Sequence, residues 1–178
     1  FRVFKMENQY NTAKEFANDN FLLEIASEYY GYPIKSHFVL GGKLKFNSDQ
    51  TTNSGGGWHR DNRAKQIKTL VYLSDVNDKN GPYLFLPSSN KFDLPTRDGI
   101  GKITRYEDKI VEDFCNQNNI EPFRVTGKKG TVIFTDTSFI HRGENIQEGN
   151  RYTYTNYYFE DHPQRFQLTE EKWGKIFL

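Results

Sequence analysis

One cysteine stands among the 178 residues, Cys115. A lone thiol excludes an internal disulfide framework and fits a reducing compartment, so a cytoplasmic location is expected. Long apolar runs are also missing. The largest, at 69–73 and 83–86, fall far short of the roughly 20 residues that a membrane span needs. Neither sign of charge dominates: 24 Lys and Arg against 23 Asp and Glu leave a net charge of +1. That balance removes the global field that would argue for nucleic acid or an anionic membrane as a partner. No signal-peptide pattern is visible, although a chain that begins at Phe1 reads as a fragment or a processed form. Repeats, low-complexity tracts and domain linkers are not visible either. What remains is a single domain over 1–178, large enough for one sizeable core. Its 15 Phe and 11 Tyr suit β-structure.

Apolar spacing organises the chain. Ala13, Phe16, Ala17, Phe21, Leu22 and Ile25 recur at roughly helical intervals, which predicts one helix over 12–30, ended by Gly31-Tyr32-Pro33. Strands are predicted at 37–46, 66–75, 83–86, 123–125, 131–134, 138–142 and 151–159, and Gly41-Gly42 suggests a bulge or bend in the first. The polar stretches 47–57 and 90–101 read as loops, and Asn77-Asp78-Lys79-Asn80-Gly81-Pro82 as a turn. A helix is expected over 106–118, with Ile110, Val111 and Phe114 on one side, and a closing helix over 168–177. Many short strands between regular turns argue for a sandwich or barrel, with its core over about 36–160.

The chemistry concentrates at Trp58-His59-Arg60-Asp61, His141-Arg142-Gly143 and Arg151. On an extended chain, residues i and i+2 share a face, so His59 and Asp61 can meet one ion. His141 must be brought to them by the fold. Two imidazoles and one carboxylate on one face of an octahedral ion leave three positions open, the arrangement that non-haem Fe(II) oxygenases use. A closed tetrahedral zinc site would want a fourth ligand or thiolates, and Cys115 is alone. The bland interpretation is a chance His-x-Asp pair with His141 in the core. It is weakened by the preceding Gly55-Gly56-Gly57, which lets backbone pack closely, and by Arg151 ten residues after His141. Thr153 shares the face of Arg151. A planar guanidinium fork beside a hydroxyl suits the distal carboxylate of a dicarboxylic keto acid.

These segments resemble the phytanoyl-CoA dioxygenase family of Fe(II)/2-oxoglutarate oxygenases. The likeness runs through Trp58-His59-Arg60-Asp61-Asn62, Leu70-Val71-Tyr72-Leu73-Ser74-Asp75-Val76, Asn80-Gly81-Pro82-Tyr83 and Leu86-Pro87-Ser88-Ser89-Asn90. It continues in Gly130-Thr131-Val132-Ile133-Phe134, His141-Arg142-Gly143 and Arg151, covering roughly 55–160. It implies an all-β core with flanking helices, built as a double-stranded β-helix (a jelly-roll, cupin-like barrel). It further implies His59, Asp61 and His141 as Fe(II) ligands, with Arg151 and Thr153 on 2-oxoglutarate. Ser88 and Asn90 depart from the Gly and His of the family's Pro-Gly-Ser-His pattern, and little sequence precedes the barrel.

The implied reaction hydroxylates a small molecule with O2, releasing succinate and CO2. Related halogenases lack the carboxylate, so Asp61 favours hydroxylation, desaturation or ring chemistry. Tyr72, Lys68 and Leu70 share a strand face and are candidates to line the pocket. Trp58, Arg60 and Arg142 flank the ligands and are expected to pack or form a rim, and His37 and His162 to be structural or exposed. The stretch 90–121 is a candidate lid. Two rivals stand beside this reading: a protein or peptide hydroxylase of the same chemistry, and a non-catalytic metal-binding barrel that serves as sensor or interaction module. Substrate and oligomeric state are not legible.

Overall fold

The computed structural model describes residues 1–46, 57–99 and 104–159. Two antiparallel sheets carry the molecule. The larger is formed by β1 (Arg2–Val3), β2 (Lys35–Lys45), β3 (Ile67–Tyr72), β6 (Val132–Asp136) and β8 (Asn150–Phe159), in the order β1-β2-β8-β3-β6. The smaller is formed by β4 (Tyr83–Phe85), β5 (Phe123–Val125) and β7 (His141–Gly143), in the order β5-β4-β7. Among the described residues three α-helices flank them: α1 (Asn11–Ala17), α2 (Asn20–Tyr30) and α3 (Asp108–Asn118). The expected β-rich core with flanking helices is therefore present. The predicted 168–177 helix, His162 and most of the 47–57 loop lie outside the described residues.

The single helix expected over 12–30 is two helices. Asp19 takes an extended backbone conformation and its carboxylate accepts from Leu22 N at 3.0 Å, which starts a new helix. The apolar spacing ran on across this junction and concealed it. Phe21, counted on the apolar face, is in fact 67 % exposed. Gly31, at φ 84°, closes α2 as expected.

The bulge is also displaced. Gly41 and Gly42 pair in regular register with Tyr154 and Thr153, whereas the β2–β8 register shifts between Ser36 and Phe38. These glycines serve close approach. A Cβ on Gly42 would lie 2.6 Å from Thr153 Oγ1, and one on Gly41 would lie 2.9 Å from Met6 Cγ. The strand expected at 138–142 shrinks to His141–Gly143 because Asp136 holds a turn there, accepting from Ser138 N at 2.8 Å. Ser88 occupies the left-handed region at φ 61°. Glycine adopts that conformation freely, whereas the serine carries a modest strain of roughly 1 kcal/mol.

Two core regions position the site. Trp58, Leu84, Leu86, Tyr106, Val111, Phe114 and Ile140 form a buried cluster that seats α3 against the smaller sheet. Ala26, Ile34, Ile67 and Tyr158 seat α2 against the larger one. Each fully buried aliphatic or aromatic side chain contributes about 1.5–3 kcal/mol. Ser89 ties the end of β4 to the start of β7 within the smaller sheet: Ile140 N donates to its hydroxyl at 2.8 Å, and the hydroxyl donates to Leu86 O at 2.8 Å.

Asp136 ties α2 to the β3–β6 end of the sheet. It accepts from Tyr29 Oη and from Gln66 N at 3.1 Å, as well as from Ser138 N. Burial alone would raise its pKa, but these donors outweigh burial and hold the carboxyl below its ordinary value. Its stabilising contribution is thus present above the unfolded carboxylate pKa of about 3.9 and is lost as pH falls through the lower folded value. Asp136→Ala is expected to cost about 1–3 kcal/mol at pH 7 in urea unfolding. The gap from the parent protein should narrow steadily in titrations carried towards pH 3.

Candidate functional site

Backbone pairing brings the two histidines together. His59 N donates to His141 O at 3.0 Å, and His141 N donates to His59 O at 2.8 Å. Asp61 N donates to Thr137 O at 3.0 Å, so the segment 59–61 runs extended along the start of β7. Alternation then places His59 and Asp61 on one side and Arg60 on the other. Arg60 is buried, with Nη2 donating to Ser89 O and to Phe92 O. Trp58 lies in the core cluster, and the Arg142 guanidinium sits 4.5 Å from its ring centre. The flanking residues pack.

One ligand atom from each of His59, Asp61 and His141 lies within 4.8 Å of the others. His59 Nε2 is 3.8 Å from Asp61 Oδ1, and His141 Nε2 is 3.4 Å from Asp61 Oδ2. Each Nδ1 rests 2.9 Å from a backbone carbonyl two residues back, at Gly57 and Phe139. That hydrogen bond places the ring proton on Nδ1 and leaves both Nε2 lone pairs directed at the common centre. Burial, reinforced by His141, pushes the His59 pKa down to about 3, so its ring is neutral at physiological pH. Desolvation would raise Asp61, but Lys68 and the two imidazoles override it and hold the carboxyl well below its usual range. Lys68 Nζ donates to Asp61 Oδ2 at 2.5 Å. The donor set fits a divalent cation held on one face with positions left open.

The triad forms one wall of a cavity of about 170 Å³ between the sheets. Arg151 and Thr153 on β8 line the same cavity. Arg151 is 8 % exposed, and its Nε has no hydrogen-bond partner. Among the described residues no carboxylate pairs with it. A Cβ on Gly143 would lie 3.1 Å from Arg151 Nη2, so the glycine of His-Arg-Gly makes room for the guanidinium. Burial pushes the Arg151 pKa down, yet a guanidinium stays charged. A buried cation of this kind calls for an anion.

Lys68 and Leu70 line the cavity. Tyr72 does not. Its hydroxyl donates to Val125 O at 2.8 Å and accepts from Tyr83 N at 3.0 Å, which holds the ring in the core. The sequence reading missed Thr155 and Tyr157, which follow Arg151 and Thr153 at the same two-residue interval and also line the cavity. Extending the alternation along β8 would have found them. Arg105 lines it as well, entering beside His59 through an isolated bridge. It comes from irregular chain, where no periodicity announces it. The stretch proposed as a lid is anchored near this point by Tyr106 N to Trp58 O at 3.0 Å and by α3 in the core.

Neither a protein-family model nor a curated protein matches the sequence. Solved structures do. The epimerase SnoN, in complex with Fe3+, alpha ketoglutarate and nogalamycin RO, superposes with a TM-score of 0.67 at 16% identity, over 89% of this chain and 62% of SnoN. EctD from S. alaskensis, with 2-oxoglutarate and 5-hydroxyectoine, gives 0.68 at 20% identity over 88% of this chain and 55% of EctD. AviO1 from Streptomyces viridochromogenes Tue57 gives 0.60 at 17% identity over 90% and 67%. At such identities the likeness establishes a shared fold, and the chain spans about three fifths of the length of SnoN.

Removing one donor tests the centre directly. His141→Ala is expected to weaken Co(II) binding by more than the 10- to 100-fold typical of outer-sphere changes. His37→Gln, at the β2 irregularity, should bind Co(II) like the parent protein. Calorimetric titration checks both, and parent-like affinity in His141→Ala would refute a three-residue centre.

Proposed function

We propose that the chain is an Fe(II)- and 2-oxoglutarate-dependent dioxygenase that hydroxylates a small molecule on a double-stranded β-helix, in the manner of the phytanoyl-CoA dioxygenase family. The observation that carries this reading is the shared cavity. A His-Asp-His donor set and a buried arginine without an acidic partner open into the same space. The site residues fit both groups. Two imidazoles and a carboxylate suit Fe(II), and Arg151, with no acidic partner among the described residues, suits a dianionic keto acid. SnoN and EctD, which share the fold, were solved with iron or 2-oxoglutarate.

Fe(II), when bound, supplies the redox chemistry that couples decarboxylation of 2-oxoglutarate to succinate and CO2 with transfer of one oxygen atom of O2 to substrate. The protein supplies position and exclusion of water. His59, Asp61 and His141 hold one side of the ion. Arg151 offers a two-pronged donor to the distal carboxylate and the Thr153 hydroxyl adds a third contact, which fixes the keto acid end-on. Gly42 leaves bare backbone beside Thr153, which makes room for the Thr153 hydroxyl at the cavity wall. Leu40, Leu70 and the Tyr83 ring give apolar walls. Tyr83 lies 5.5 Å from the His141 ring, centre to centre, and its hydroxyl shares a hydrogen bond of 2.7 Å with Thr135 Oγ1. Asp61 would be a ligand to the ion, and its carboxylate favours oxygen transfer over halogenation.

The cavity's size supports a small-molecule substrate over a peptide. Its volume is of the same order as the ~150 Å³ space known to admit benzene. The buried, unpaired guanidinium argues against a barrel that only binds metal, since such a module gains nothing from that desolvation. A cytoplasmic setting rests on the lone Cys115. No helix among the described residues is long and apolar enough to cross a membrane.

The test is succinate formation that requires Fe(II), 2-oxoglutarate and a reductant together. Arg151→Ala is expected to raise the KM for 2-oxoglutarate about 10- to 100-fold, the worth of a charge-assisted contact. Arg151→Lys, which keeps the charge and loses the fork, should fall between the two. Unaltered turnover and KM in Arg151→Ala would sink the proposal.

A further inference from the structure

The chemistry above gives Lys68 no task, yet it is tightly placed. Its side chain is 6 % exposed and its ammonium donates to Asp61 Oδ2 at 2.5 Å. The Tyr157 ring lies 4.0 Å from the ammonium, centre to nitrogen, and pairs with Lys68 across β3 and β8. Two hydrogen-bonded strands therefore fix where this charge stands. A buried ammonium is costly, and an apolar side chain of similar length would fill the space at less expense. What the lysine adds is direction: it engages one oxygen of a carboxylate that has two. Oδ1, which faces His59 Nε2, has no hydrogen-bond donor among the described residues.

A carboxylate can hold a cation through one oxygen or through both. With two imidazoles, one-oxygen binding leaves three of six octahedral positions open, and two-oxygen binding leaves two. A keto acid attached at two points fills two of them. The third position is the one dioxygen needs.

We propose that Lys68 is a positioning residue that confines Asp61 to one oxygen and so preserves the third open position at the metal. This rests on the metal and co-substrate reading given above. It explains why a lysine stands at an interior strand position beside a metal-binding carboxylate, where a simple scaffold would place leucine or methionine.

Co(II) serves as the probe, because its visible absorption reports coordination number without turnover. Calorimetry of 2-oxoglutarate binding to the Co(II)-loaded protein gives a second readout. In Lys68→Met the Co(II) spectrum is expected to shift, and 2-oxoglutarate affinity to fall about ten-fold or more, the scale of outer-sphere effects. Co(II) affinity itself should hold or rise, since a second carboxylate oxygen becomes available and a nearby positive charge is removed. Lys68→Gln, which keeps an N–H donor, should recover part of the spectrum and part of the affinity. If Lys68→Met does not fold, Lys68→Gln decides by the same two readouts, set against the parent. A parent-like spectrum with 2-oxoglutarate affinity within two-fold would overturn the role of Lys68 alone. So would weaker Co(II) binding with the other two readouts unchanged, because that marks general support of the site. A parent protein that binds no Co(II) would overturn the metal reading and this inference with it.

Discussion

The reciprocal backbone hydrogen bonds between His59 and His141 are the constraint on which the site depends. They join two segments that lie far apart in sequence and fix the separation of the imidazoles before any ion arrives. Their ring centres stand 4.4 Å apart. Burial first, and then the closeness of His141, hold the His59 pKa low. The backbone does the gathering, and the carbonyls of Gly57 and Phe139 then set which nitrogen faces inward.

Around that pair the buried charges differ in their partners. Lys68 answers Asp61 at close range, while Arg151, on the wall of the same cavity, has no counter-charge among the described residues. One charge is thus internally balanced and the other is not. Burying a cation without a counter-charge is costly, and the surrounding sheet absorbs that cost. The β8 strand does this by flanking Arg151 with the paired backbone of β2 and by presenting Thr153 on the same face.

Much of the site was legible because strands have a period of two. His59 with Asp61, and Arg151 with Thr153, follow from that rule, and so does the turning of Trp58 and Arg60 away from the triad into the core. The same rule misled at Tyr72, which shares a face with Lys68 and Leu70 yet turns its hydroxyl into the core, towards Val125 O. Period says which side a residue leaves from, not where its far end stops. Arg105 was invisible because irregular chain carries no period. The break between α1 and α2 was hidden for the opposite reason: Asp19 supplies a cap in the midst of apolar spacing that continues past it. Gly41-Gly42 looked like a bend because glycine marks both flexibility and crowding, and only the opposing Thr153 and Met6 tell which applies.

That crowding bears on how the pocket can change. At Gly42 the wall is already bare main chain, so any substitution there can only subtract room. The Arg151 end of the chamber can therefore lose width by substitution at Gly42 and cannot gain it there. Arg105 borders the same chamber from outside the named strands, so its side chain is a place where the chamber's lining can change without disturbing a strand register.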